Sequence, residues 1–316
     1  MKFKIAKNIS FSTIIAFLII LGFIIAAIVS IVIFREKNWL KFNIVGFGDS
    51  LTDNGNQWRV TDGEMPPASL YYKGRWSNGP IWVDFVESIL NAKLTNRAFG
   101  GATTNKSLIS RCFFDNTNVP SVQEQVEEMS ANVSSFPPQT TFVIWTGVCD
   151  YMTIFERNLT IISEDIISSI HNSINLLIST GVRKFLLLNL PPINRAPRYT
   201  NYTNLTILQN LIETHNVLLN QTVIDIKKQQ RIQAGVFDVW GLIEYVIQDP
   251  QKYGFSNVVD SCIQPNSNNT CGNPDEYLWW DNIHPTTVAH SLLAMGIVTY
   301  LKSPDGTCLY LTNCGL

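Results

Sequence analysis

Compact apolar runs alternate with longer helical patterns along most of this chain, and no other feature restricts its fold as much. The runs Phe42 to Phe47, Leu94 to Phe99, Thr141 to Thr146, Lys184 to Leu190 and Gly235 to Trp240 have the length of buried strands. Between them, Pro80 to Leu90, Val122 to Ala131, Ile161 to Ser179 and Thr206 to Gln230 read as helices. Strands alternating with helices form a parallel sheet covered on both faces, a three-layer α/β sandwich. Ligands of such sheets bind outside the carboxyl ends of the strands. Ser50, Gly101 and Cys149 each follow a strand candidate, so they are expected on one rim. The chain has 316 residues, 46% of them hydrophobic, enough for one substantial core, and it shows no internal repeat or second domain.

The N-terminal segment suggests a topology. Ile14 to Phe34 is an uncharged apolar run long enough, as a helix, to cross a bilayer. Lys2, Lys4 and Lys7 precede it, and such a basic flank stays on the cytosolic side. The expected organisation is a cytosolic N-terminus at 1–13, a transmembrane signal anchor at 14–34, a juxtamembrane linker at 35–41 and an exported domain at 42–316. The alternative is a cleaved signal peptide and a secreted product, although such apolar regions are usually only about 7–15 residues long. Asn-x-Ser/Thr triplets at Asn105, Asn132, Asn158, Asn201, Asn204, Asn220 and Asn268 agree with export. So do the cysteines: Cys262 and Cys271 bracket a polar loop, and Cys308 and Cys314 bracket the tail, each pair suited to a local disulfide. No pair has the Cys-x-x-Cys spacing of a zinc site. With 23 basic and 25 acidic residues there is no basic field to attract nucleic acid.

Chemistry concentrates in two places. Gly46-Phe47-Gly48-Asp49-Ser50-Leu51-Thr52-Asp53-Asn54-Gly55-Asn56 is a strand running into a glycine-rich turn that would present a hydroxyl. A serine hydroxyl is a poor nucleophile until a base takes its proton, and His284 is the best candidate base. Asp281 lies three residues earlier, where its carboxylate could accept the second imidazole N–H and fix the tautomer. Pro285 could open a following helix. His171, His215 and His290 lie within helical patterns with no comparable partner, so packing is their default reading. Trp58, Tyr71, Tyr72, Trp76 and Trp82 cluster after the serine and could line a pocket or pack a core. Trp279 and Trp280 could wedge the Asp281–His284 turn. Neither the Gly-x-Ser-x-Gly elbow nor the His-Glu-x-x-His metal motif is present.

The first stretch resembles block one of the GDSL lipases and esterases, also called SGNH hydrolases. The resemblance continues through Tyr71-Tyr72-Lys73-Gly74-Arg75-Trp76-Ser77-Asn78-Gly79-Pro80, then Asn96-Arg97-Ala98-Phe99-Gly100-Gly101-Ala102-Thr103-Thr104, Gly147-Val148-Cys149-Asp150 and Asp281-Asn282-Ile283-His284-Pro285. It implies a flavodoxin-like SGNH hydrolase fold, which the transmembrane helix read from residues 14–34 would precede. It also implies a catalytic set of Ser50, Asp281 and His284, with Asp281 rather than the adjacent Asp49 as the acid. Ser50 and Gly101 are the implied oxyanion donors. Cys149 stands where the family has an asparagine amide, and a thiol is only a weak donor. A disulfide from Cys149 to Cys112, or an amide from a nearby asparagine, would each alter that corner. The implied function is a serine ester hydrolase acting through an acyl-enzyme on lipid acyl esters or acetylated carbohydrate, with no cofactor or metal. The alternative is a weakened pseudoenzyme serving as a membrane-tethered glycan- or lipid-binding module. The expected partners are thus an ester substrate and the membrane, not nucleic acid; oligomeric state is not legible.

Overall fold

The computed structural model describes residues 18, 20–30, 42–113, 117–132, 135–137, 139–229, 231–265, 267 and 269–303. The chain divides into a unit at 1–41 and a larger unit at 42–316. In the smaller one, residues 18 and 20–30 are helical with exposed side chains. The rest of the expected anchor at 14–34, with its basic flank and linker, lies outside the described residues, as do Cys308, Cys314 and Asn268. Among the described residues no helix is long and apolar enough to cross a membrane.

The larger unit is an α/β fold on a five-stranded parallel sheet. Its strands are β1 (Asn43–Gly48), β2 (Lys93–Asn96), β3 (Thr140–Trp145), β4 (Lys184–Leu188) and β5 (Gln233–Phe237). They lie in the order β2-β1-β3-β4-β5, every neighbouring pair parallel. That order reverses direction between β1 and β3, and such a switch point opens a crevice at the carboxyl ends of the two strands. Ser50 follows β1 and Cys149 follows β3.

The helices, in chain order, are α1 (Asn56–Val60), α2 (Trp82–Leu90), α3 (Val122–Asn132), α4 (Val148–Arg157), α5 (Ser163–Ser179), α6 (Thr206–Lys227), α7 (Val239–Gln248) and α8 (Thr287–Lys302). Helices α2 and α8 pack together, while α5 packs on both α3 and α6, and α4 on α6. All six residues of the central strand β3 are buried, which requires cover on both faces of the sheet. Phe142 of β3 stacks on Phe47 of β1 and contacts Phe185 of β4, so aromatic packing crosses the three central strands. Beyond the sheet, β6 (Asn257–Ser261) and β7 (Tyr277–Trp279) form a small second sheet.

Several boundaries differ from the sequence expectation, for local reasons. The fourth strand stops at Leu188 rather than Leu190, because Asn216 of α6 takes both backbone groups of Leu190. The fifth ends at Phe237, since Asp238 caps α7 by accepting from Gly241 N at 3.0 Å. The second ends at Asn96, whose side chain bonds Thr52 O and Asn54 Oδ1 in the neighbouring loop. Helices α1, α4 and α7 are additional to the expectation; α4 follows β3 after two residues and α7 follows β5 after Asp238 alone, spacers too short to separate them from the strand runs. The helix after Pro285 begins at Thr287, with Thr286 as its cap.

Candidate active site

The turn after β1 is held by its own acidic residues. Gly48 has φ 157, and a side chain there would collide with the Trp145 carbonyl of β3. Gln125 of α3 brackets Gly48, accepting from its N–H at 3.1 Å and donating to its carbonyl at 2.9 Å. Asp49 makes no hydrogen bond to the histidine: its Oδ1 accepts from Leu51 N, and its Oδ2 is buried without a partner among the described residues. Burial pushes Asp49 up to about 7, and the neighbouring Asp150 adds to the rise. The Asp53 carboxylate accepts from Gly55, Asn56 and Gln57 N, and also from Gly100 N at 2.7 Å. That last bond draws the Gly100-Gly101 segment against the serine turn. Gly100 has no room for a side chain between Gln57 and Trp76, and Gly101 has φ 77. Neither Ser50 N nor Gly101 N is bonded to a backbone or side-chain acceptor among the described residues.

At the end of β3, Gly147 takes φ 118 and α4 begins. Cys149 is buried and joined to Cys112 by a disulfide, so the family's amide position carries a cross-link to the loop after Gly101. Asp150 beside it accepts from Thr104 N and Thr104 Oγ1, although burial pushes it up to about 6. A second disulfide joins Cys262 to Cys271, as expected from their spacing.

The Asp281–His284 turn folds on one carboxylate. Asp281 Oδ1 accepts from Ile283 N at 2.8 Å and His284 N at 2.7 Å. Trp280 N donates to His284 O at 2.7 Å, which closes the loop from the other side. The segment 77–80 clamps the residues just after the histidine: Ser77 Oγ donates to Pro285 O, and Thr287 bonds Asn78 and Pro80. This clamp brings His284 Nε2 to 2.9 Å from Ser50 Oγ, across 234 residues. On the other ring edge, Nδ1 lies 2.7 Å from Asp281 Oδ2. An ionised carboxylate only accepts, so Nδ1 carries the proton and Nε2 is free to accept from the serine. Burial alone would raise Asp281, but the His284 interaction outweighs it, with help from Tyr71, and holds the carboxyl below its ordinary range. Such a chain of atoms can move a proton from a hydroxyl to an imidazole.

Two of the clustered aromatics join this chain, a role that spacing alone does not reveal. Tyr71 OH donates to Asp281 Oδ2 at 2.6 Å, and the Trp76 ring stacks on His284 with centroids 4.9 Å apart. Trp82 instead lies in the core against Trp145. Trp279 anchors the last block through its indole, which donates to Val258 O of β6. His215 and His290 are buried, and burial pushes each down to about 3; neither lies in the chain of bonds from Ser50 to Asp281. A cleft of about 690 Å³ opens beside His284 and Asp281. Leu70, Tyr71 and Trp76 form one wall, while Arg198, Gln264, Ser267 and Asn282 supply polar groups. Among the described residues no cluster of His, Cys, Asp or Glu could hold a metal ion.

The family model for GDSL-like Lipase/Acylhydrolase matches residues 44–297. The chain belongs to this family. Among curated relatives of this GDSL protein, the thermolabile hemolysin of Vibrio parahaemolyticus is 25% identical over 274 residues, covering 79% of the chain. The match covers 62% of the hemolysin, so the chain spans less than two thirds of that relative. The phosphatidylcholine-sterol acyltransferase of Aeromonas hydrophila is 24% identical, with 82% of the chain and 90% of that protein covered. An acetylesterase of Thermothelomyces thermophilus is 27% identical, with 82% and 88% covered. The family's own description is that of lipases and acylhydrolases, enzymes that cleave carboxylic esters.

Proposed function

We propose that this GDSL protein hydrolyses carboxylic esters through an acyl-enzyme, with Ser50 as nucleophile, His284 as base and Asp281 as the group that orients the imidazole. The observation that carries the reading is the continuous contact from Ser50 Oγ through His284 to Asp281. His284 takes the hydroxyl proton as Ser50 attacks the carbonyl, then returns it to the departing alcohol; water repeats the sequence and releases the acid. The N–H groups of Ser50 and Gly101 receive the tetrahedral oxyanion. Cys149 contributes no amide, and loss of one such donor costs about 2.7–4 kcal/mol in a hydrolase that depends on it. The cleft's aromatic wall and polar groups suit an ester with one apolar and one polar side, either a lipid acyl ester or an acetylated carbohydrate. Named activities of the relatives, a phosphatidylcholine-sterol acyltransferase and an acetylesterase, span the same two classes. In this reading the domain is exported and tethered by the 14–34 segment, a view supported by the sequons and the two disulfides.

The test is a fluorophosphonate label on the full chain, with turnover of p-nitrophenyl esters from acetate to palmitate and of acetylated xylan. Wild type should take the label and hydrolyse one end of the series, and Ser50→Ala should do neither. Equal turnover by both proteins would remove Ser50 from the mechanism. Turnover of none by wild type would favour the binding-module alternative. When the chain is made in a eukaryotic secretory host, the labelled band should also shift on endoglycosidase treatment; an unshifted band counts against export.

A further inference from the structure

Tyr71 reaches the relay from a loop 210 residues away in sequence, and its hydroxyl bonds the same carboxylate oxygen that faces the imidazole. At 2.6 Å this is the length of a hydroxyl donating to an ionised carboxylate. Asp281 thus has four donors: Tyr71 OH and His284 Nδ1 on Oδ2, and the N–H groups of Ile283 and His284 on Oδ1. The same loop grips the histidine. Tyr71 packs edge-on against Trp76 with centroids 5.1 Å apart, Trp76 stacks on the imidazole, and the indole N–H is fixed by Gln57 at 2.8 Å. Tyr71 is also half-buried in the wall of the cleft.

Resting on the assignment of Asp281 and His284 made above, we propose that Tyr71 is a positioning residue that sets the basicity of His284 by sharing the negative charge of Asp281. A carboxylate that already accepts a hydroxyl proton has less charge to offer the imidazolium. Removing that donor makes the carboxylate a stronger partner and His284 more basic. The phenol remains a donor throughout, because burial and then the Asp281 charge push its own ionisation far up. The other ionisable groups near the pair are Asp49 behind Ser50, His290 in α8 and Arg198 in the cleft wall. Arg198 is paired with Glu156 and burial keeps His290 neutral, while Asp49 interacts with His284 from the Ser50 side in wild type and Tyr71 variants alike, so the difference between them reaches His284 through Asp281.

Tyr71→Phe keeps the ring and its contact with Trp76 while removing the donor. The acid limb of its kcat/KM profile reports the free-enzyme histidine, and it should move to higher pH by about half a unit. Its kcat should fall about tenfold with KM within about twofold, and the His284 Nδ1 proton resonance should move further downfield. Difluorotyrosine at position 71, a stronger donor, should move the acid limb the opposite way. If Tyr71 merely forms the cleft wall, KM rises in Tyr71→Phe while the acid limb and the resonance stay in place, and the proposal is overturned. A Ser50→Ala protein that retains turnover, or a downfield resonance that survives His284→Ala, refutes the underlying assignment instead.

Discussion

At the end of β1 the Ser50 turn is held by hydrogen bonds alone, whereas at the end of β3 the Cys149 corner is tied by a covalent bond to Cys112. Both corners border the same crevice, and each is pinned to the chain around Gly101. One does so through the carboxyl of Asp53, which joins four backbone N–H groups. The other carries Cys149 where the family resemblance implies an asparagine amide, and fixes its backbone with sulfur. The comparison teaches that placing the rim and donating to the oxyanion are separable tasks. In the proposed mechanism the β1 corner does both, and the β3 corner retains the first.

The largest effect expected from breaking this symmetry is at Asp53. Asp53→Ala leaves four N–H groups without their acceptor and should destabilise the domain by about 3–5 kcal/mol, read by urea denaturation. A loss below about 1 kcal/mol would mean that the backbone holds the turn unaided. Next in size is the sulfur corner. Joint replacement of Cys112 and Cys149 by alanine should cost about 2–4 kcal/mol. Cys149→Asn in a Cys112→Ala background tests the separation of tasks directly. If the position still faces the oxyanion, its kcat should exceed that of the double-alanine protein about tenfold, or about 1.4 kcal/mol. Equal kcat values would show that the corner has turned away from the reaction.

The smallest effect sits between the corners, where Asp49 is pushed up to about 7. A carboxyl raised on folding favours the protonated chain. Stability from this group is therefore full below about pH 4, falls as pH rises toward 7, and stays level beyond. The decline should be roughly 1–2 kcal/mol, discounted from the full shift for its coupling to Asp150. Asp49→Asn should flatten it, as thermal melts from pH 4 to 8 would show; an unchanged slope would assign the dependence to another group.

Much of this arrangement was legible in the sequence because it is local. Strands β1, β3 and β4 are apolar runs bounded by polar residues, and Asp281 and His284 meet across three residues. The missed features are either merged with a neighbouring element or non-local. Helices α4 and α7 begin so soon after strands that periodicity merges with the preceding run. Tyr71 stands among four other aromatics, and nothing in its neighbourhood distinguishes a bond to Asp281 from the core packing that Trp82 adopts. The Cys112–Cys149 pairing was one of two ways to read the missing amide, and only the approach of the 102–113 loop to α4 distinguishes it from the other.

The 234-residue gap between Ser50 and His284 also has a consequence for how the enzyme comes into being. Helix α2 packs on α8, and the 77–80 clamp bonds Pro285 and Thr287, so early and late segments must meet before Ser50 reaches His284. Contacts of such sequence separation form slowly and cannot form on a partial chain. In a growing polypeptide Ser50 therefore meets His284 only once α8 has docked, so the Ser50–His284 contact marks a late stage of folding.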